Sequence, residues 1–185
     1  MSDSTATNRR LLRLIIAGAV FMALAGSEMH FVYGWSGQNT VVGLFGPVNE
    51  SIWEHAKLVF WPPLLWYGFA ALSLRRTHGH ELAGAAAVAL WFMAVFQTAF
   101  YYAYAAVTRG DVFLMDLVDF ALTVVLGQML FYRLAIHLHC TRTGRATAVI
   151  SIMALAVVFI VFTLRPPHIP LFMDTPTRTY GIPRT

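Results

Sequence analysis

The sequence has very little charge, and this scarcity decides the class of protein. Only 12% of its 185 residues are Asp, Glu, Lys or Arg, against about 25% in soluble domains. Hydrophobic residues make up 58%, and the mean hydropathy is +0.62. A chain with so few ionic groups cannot cover a globular surface with them, which excludes a disordered chain and a nucleic-acid-binding module. We therefore predict an integral membrane protein of a single domain, residues 1–185.

Cysteine and lysine are almost absent. Cys140 is the only cysteine, so an intrachain disulfide is excluded. Lys57 is the only lysine among 13 basic residues, and the others are arginines between apolar runs. Arginines at cytoplasmic helix ends account for the pI of about 9.6, which therefore indicates no nucleic-acid partner.

Two compact hydrolase motifs are also missing. The sequence contains no His-Glu-x-x-His run and no Gly-x-Ser-x-Gly run. This excludes the helical zinc-protease signature and the nucleophile elbow of the α/β-hydrolases. An active site, if there is one, must be assembled from residues that are far apart in the sequence.

Apolar runs dominate what is present. About 20 helical residues cross the hydrocarbon core of a bilayer, and backbone amides in lipid must find their partners within a helix or a closed sheet. The runs have this length, so we predict an all-α integral membrane bundle of about five transmembrane helices. Their approximate ranges are 11–33, 58–74, 82–107, 112–136 and 146–164.

The arginines set the predicted orientation. With the N-terminus in the cytoplasm, eight basic residues lie inside and five outside. The positive-inside rule therefore predicts the N-terminus in and the C-terminus out. Seven of the nine carboxylates then lie toward the outside. The rule says little about acids, so this outward clustering needs another explanation, either a functional site or a structural polar network.

The first apolar run has a second interpretation. Three arginines precede it, and Ala23-Leu24-Ala25 resembles a signal-peptidase site. Apolar character resumes at Met29 to Tyr33, which suits a retained helix better. Either way, the residues from Glu28 onward lie at or beyond the outer side.

Two segments outside the apolar runs are predicted to cover the outer face. Residues 36–57 form an outer loop, in which Val41–Pro47 is too short to span and is broken by glycines, as in an interfacial or re-entrant stretch. Residues 165–185 form an outer tail that is too apolar to be free. We expect this tail to fold back and to carry His168 and Asp174 toward the acidic residues.

The end of the outer loop holds the densest group of polar residues. Ser51 and Glu54 fit a capping box at a helix start. Glu50 and Glu54 are four apart and would share a helix face, while Glu54 and Lys57 are three apart and can pair. His55 lies on the neighbouring face. A capped, charged helix start and a carboxylate–imidazole site both fit this pattern.

Polar residues also mark the outer ends of the first and third runs. Glu28 and His30 are two apart, so on a helix they point about 200° from each other. Gln97 and Tyr101 lie on one helix face, which is also typical of an interfacial aromatic belt.

Two carboxylates share a face of the fourth run. Asp116 and Asp119 are one turn apart, so they repel unless a cation or a shared proton intervenes. A metal, a proton relay, or ion pairing with Lys57 or Arg109 would each explain them.

Three stretches carry a resemblance. They are His30-Phe31-x-Tyr33-x-Trp35-Ser36-Gly37, the run Val48-Asn49-Glu50-Ser51-x-Trp53-Glu54-His55, and Pro166–Phe172. Together they resemble a family of small bacterial multi-pass membrane proteins of unknown function. The resemblance implies a location in the inner membrane of a bacterium, and it implies no activity.

Three functions remain open. The first is a membrane-embedded, metal-dependent hydrolase acting on a lipid-like or small substrate, since carboxylates with imidazoles suit zinc or another divalent ion. The second is a cation or proton transporter or channel subunit using the intramembrane acids. The third is a structural or partner-docking protein, with a homo-oligomer as one form. For the first, the metal ligands are predicted among His30, His55, Asp116, Asp119 and His168, the catalytic carboxylates are Glu50 and Glu54, and Glu28, Lys57, Gln97 and Tyr101 line the site.

Overall fold

The computed structural model describes residues 2–74 and 81–183, with side chains from residue 9 onward. In these ranges the regular elements are helices, and one isolated antiparallel bridge joins Met173 to Tyr180. The predicted all-α class is therefore confirmed. The α-helices are α1 (Ser2–Trp35), α2 (Thr40–Gly43), α3 (Ile52–His55), α4 (Trp61–Ser73), α5 (Glu81–Thr108), α6 (Phe113–His137) and α7 (Arg142–Leu164), with 3₁₀ turns at Ala56–Val59 and Pro170–Phe172.

Four of these helices are long and apolar enough to cross a membrane. They comprise Arg9–Trp35 of α1 and the whole of α5, α6 and α7, with hydropathies of 1.7 to 2.7 over their most apolar windows. Three of the arginines on which the predicted orientation depends, Arg75, Arg76 and Arg184, lie outside the described residues.

The predicted second span differs from the structure. Residues 58–74 were expected to form one kinked helix, but α4 has only 13 residues and follows a 3₁₀ turn. Pro62 and Pro63 occupy the first turn of α4. Proline lacks the backbone N–H but has a helical φ, so it starts a helix more readily than it bends one. At about 1.5 Å per residue, α4 alone is roughly 20 Å long.

Helix α5 lies at the centre of the bundle. It packs against α4, α6 and α7, and its apolar window is 50% buried, against 28% in each of the other three. Small residues allow this close packing. A Cβ added to Gly127 of α6, for example, would lie 2.5 Å from Cγ of Met93 on α5.

The loop before α3 and the C-terminal tail fold over one end of the bundle. The amide of Asn49 donates to the carbonyl of Gly181 at 2.9 Å. The backbone N–H of Glu50 donates to the carboxylate of Asp174 at 2.8 Å. The ring of Trp53 packs against Phe172 of the tail, with centroids 5.0 Å apart. These contacts hold the loop in place over the ends of the long helices.

Candidate functional site

A cavity of about 440 Å³ opens at this end of the bundle. Its walls come from α1, α3, α5 and α6, and residues of the tail complete them. Most of the residues predicted to form a site meet here, although they are far apart in sequence. The polar side chains that line the cavity are Ser27, His30, Glu50, His55, Gln97, Tyr101, Asp111, Asp116, Asp119 and Thr175.

Two histidines and a glutamate converge in one wall of the cavity. Nε2 of His55 lies 3.3 Å from Oε2 of Glu50, and Nε2 of His30 lies 3.7 Å from Oε1 of the same carboxylate. The two imidazole rings stack with centroids 5.3 Å apart. One nitrogen or oxygen from each residue lies within 4.8 Å of the other two. We call these three residues the His-Glu-His cluster.

Glu50 reaches the cluster because it precedes the helix. Helix α3 begins at Ile52, and Ser51 is its N-cap, with an extended backbone and a hydroxyl that accepts from the N–H of Glu54 at 3.3 Å. The expectation that Glu50 and Glu54 share a helix face is therefore wrong, since Glu50 is not helical. Its backbone is instead held by Asp174 of the tail.

Hydrogen bonds orient the ring of His55. Its Nδ1 lies 3.0 Å from the carbonyl of Ser51, which can only accept, so Nδ1 carries a proton and Nε2 points at Glu50. Burial is the largest single influence and lowers the pKa of His55, but the hydrogen bond and charge of Glu50, the carbonyl of Ser51 and the charge of Asp116 together outweigh it, so the pKa lies above its usual value. The same hydrogen bond lowers the pKa of Glu50.

Glu54 and Lys57 form a separate, buried ion pair. The predicted pairing is present, with Nζ of Lys57 2.6 Å from Oε2 of Glu54. Burial lowers the pKa of Lys57, and Glu54 opposes that effect. Neither residue lines the cavity. Their other partners are the carbonyls of Gly43 and Gly46 for Lys57, and Val48 N–H and Thr163 Oγ1 for Glu54.

Two carboxylates of α6, Asp116 and Asp119, line the same cavity as the His-Glu-His cluster. The hydroxyl of Tyr104 donates to Asp116. Asp119 is only 4% exposed, and Thr123 donates to it at 3.2 Å. Across the described residues, neither aspartate pairs with Lys57 or Arg109, so that explanation of the two acids is wrong.

Two residues predicted to line the site come from α5. Gln97 is 8% exposed, and its Oε1 has no hydrogen-bond partner. Tyr101 donates its hydroxyl to Asp111 in the connection to α6. Asp111 lines the cavity but was not predicted as a site residue. The short connection between the third and fourth apolar runs could have indicated Asp111 as a site residue. A tight turn keeps the residues that follow α5 close to the end of that helix, where Tyr101 lies.

Two predicted residues lie elsewhere. Glu28 is exposed on α1, and Glu28 and His30 diverge as the helical spacing predicts. His168 is exposed and stacks on Tyr180 at 4.5 Å, beside a separate pocket of about 510 Å³. The tail thus brings Asp174 to the loop, but it leaves His168 outside the cavity that holds the cluster.

The comparisons with known proteins identify a family and nothing closer. No curated protein and no solved structure matches the chain. A family of unknown function, DUF6512, matches residues 3–182, which is nearly the whole length. The matched range includes every residue that lines the cavity. The chain therefore belongs to the DUF6512 family.

Proposed function

We propose that this protein binds a divalent metal ion at His30, Glu50 and His55 and uses it to hydrolyse a substrate bound in the adjoining cavity. The observation that carries the proposal is the His-Glu-His cluster, in which three ligand atoms lie within 4.8 Å of one another beside an open cavity. Two imidazoles and one carboxylate form the ligand set of several zinc hydrolases, in which water takes the fourth position.

The distances in the cluster suit a tetrahedral ion. Zinc bonds of about 2.0–2.1 Å separate neighbouring ligand atoms by about 3.4 Å. The histidines contact different oxygens of Glu50, at 3.3 and 3.7 Å, and one ligand atom from each residue lies within 4.8 Å of the other two. Side-chain movement that draws these three atoms together would close the site around an ion. The hydrogen bond from Nδ1 of His55 to Ser51 also favours ligation, because it directs the other ring nitrogen toward the ion.

Asp116 is our candidate for the general base. It lines the same cavity and is close enough to His55 to raise the pKa of that histidine. An ion held by the His-Glu-His cluster would supply an acidified water for hydrolysis, and the carboxylate of Asp116 would accept a proton in the cavity. Glu54, the other carboxylate considered for this role, is already engaged by Lys57, Val48 and Thr163.

We further propose that the chain crosses the bilayer five times, with the N-terminus in and the C-terminus out. The C-terminal parts of both α1 and α5 line the cavity, so the two helices run in the same direction. The chain between them must return to the opposite end. We assign this return to the predicted second span, residues 58–74, in which α4 is roughly 20 Å long.

Elemental metal analysis of the detergent-purified protein tests the metal site. The test variant is His30→Ala combined with His55→Ala, and the matched control is His168→Ala, which changes a histidine outside the cluster. We expect nearly one zinc, manganese or iron ion per chain in the wild type and the control, and a loss of metal in the double variant.

Two results would contradict the proposal. One is a folded wild-type protein that holds no metal above background after incubation with divalent ions. The other is a double variant that keeps its metal. In either case the cluster would be a structural imidazole–carboxylate network, and ion flux and partner binding would be the next functions to examine.

A further inference from the structure

We infer that the cavity receives the head group of a single-chain amphiphile that donates hydrogen bonds and carries no negative charge, such as an amine or an alcohol, and that its chain enters between α1 and α6. This inference deepens the proposed function, because it names the class of substrate for the same cavity. It rests on the lining of the cavity and not on the metal.

The charge of the lining selects the head group. Four carboxylates line the cavity, and no arginine or lysine does. These carboxylates would therefore repel a phosphate or carboxylate head group wherever it is not in contact with the metal ion. An ammonium or hydroxyl group would meet acceptors on several sides. The four carboxylates are Glu50, Asp111, Asp116 and Asp119.

A buried acceptor without a partner points the same way. Gln97 is 8% exposed, its Oε1 receives no hydrogen bond, and it lines the cavity. An unsatisfied buried polar atom costs about 1–3 kcal/mol, and native proteins rarely leave one without a reason. Asp119 lines the same cavity, and its one side-chain hydrogen bond comes from Thr123. A donor on the ligand would add a second hydrogen bond to Asp119, and it would reach Oε1 of Gln97 once that amide turns toward the cavity.

The rim of the cavity on the α1–α6 side is apolar and exposed. Phe31 of α1 is 53% exposed, and Phe113 and Leu117 of α6 are 77% and 49% exposed. In a bilayer such side chains face lipid rather than water. The floor between the two helices is also apolar, with Gly26 against the ring of Phe120. An alkyl chain can therefore lie along this side while its head group reaches the acceptors.

The test is native mass spectrometry of the full chain released from detergent micelles, with two probes of equal chain length. The probes are hexadecylamine and hexadecanoate, and each is measured with zinc and with EDTA. We expect one saturable hexadecylamine adduct in both conditions and at least about tenfold weaker binding of hexadecanoate under EDTA. Binding of both probes alike, or no saturable binding of the amine, would overturn the inference.

The EDTA condition separates this inference from the proposed function. Amine binding that persists under EDTA supports the head-group assignment even if the metal site fails its own test. If metal is bound but the amine does not bind, the metal proposal stands and the substrate class is wrong.

Variants locate the two ends of the ligand. Asp119→Asn keeps the shape of the side chain and prevents it from carrying a negative charge, and it should weaken amine binding at least about tenfold, the lower end of the value of a charged hydrogen bond. Ser27→Phe places a ring at the rim and should weaken binding of the chain. Val20→Phe is its control, because Val20 is an exposed α1 residue outside the cavity lining. Unchanged affinity in Asp119→Asn or Ser27→Phe, with the fold intact by circular dichroism, would overturn the assignment of that end.

Discussion

Replacing Lys57 by methionine should be among the most damaging single changes in the chain. Lys57 is 0% exposed and Glu54 is 2% exposed, so removing the ammonium group leaves a buried carboxylate without its counter-ion. Breaking one side of a buried ion pair costs about 3–5 kcal/mol. Two carbonyls, of Gly43 and Gly46, also lose their donor. Methionine fills the same space, so we attribute no part of the loss to a cavity.

The magnitude can be checked by unfolding the protein with sodium dodecyl sulfate in detergent micelles, followed by tryptophan fluorescence. We expect Lys57→Met to lower the free energy of unfolding by about 3–5 kcal/mol. The control is Arg109→Met, which removes an exposed cation and should cost less than about 0.5 kcal/mol.

A double-mutant cycle isolates the cause. Adding Glu54→Gln to Lys57→Met removes the unpaired charge, so the double variant should recover about 2 kcal/mol relative to Lys57→Met alone. A cost below about 1 kcal/mol for Lys57→Met, or a double variant no more stable than the single one, would refute the argument that the unpaired buried carboxylate causes the loss.

Two further predictions concern the loop and the cluster. Asp174→Ala removes the acceptor of the Glu50 N–H and should lower the free energy of unfolding by about 2 kcal/mol. The control is Thr175→Ala on the exposed tail, which should change this free energy little in the same assay. Equal effects of the two variants would contradict an anchoring role for Asp174. Zinc at 100 times its dissociation constant should raise the free energy of unfolding by about 2.7 kcal/mol. This gain should disappear in the double variant His30→Ala, His55→Ala. If the double variant keeps the gain, the His-Glu-His cluster is not the zinc site.

Local patterns predicted local structure well. Four of the five apolar runs correspond to long helices, Ser51 caps α3, and Glu54 pairs with Lys57. Each of these depends on residues at most four positions apart or on one continuous run. The physics that decides them, helix periodicity and the reach of a side chain to the next turn, can be read from spacing alone.

The composition of the His-Glu-His cluster depends on contacts across the chain. Spacing could not distinguish Glu50 from Glu54 as the partner of His55. That choice is made where α3 begins and by a hydrogen bond from Glu50 to Asp174, which lies 124 residues away. The same limit applies to His168, which stacks on Tyr180 instead of joining the cluster. Tail conformation is set by tertiary contacts that no short pattern contains.

Hydrogen-bond saturation separates the two polar systems that meet at this end of the bundle. Glu54 accepts from an ammonium group and a backbone N–H, and it lies 3.1 Å from the hydroxyl of Thr163, which also reaches the carbonyl of Phe159, so the protein itself supplies its partners. Asp119 has one donor, and Gln97 Oε1 has none, although both are buried. A carboxylate that is equally buried but has fewer hydrogen-bond donors destabilises the protein unless another group donates to it. This difference, more than the number of acids, is our reason for proposing the cavity and not the buried ion pair as the ligand site.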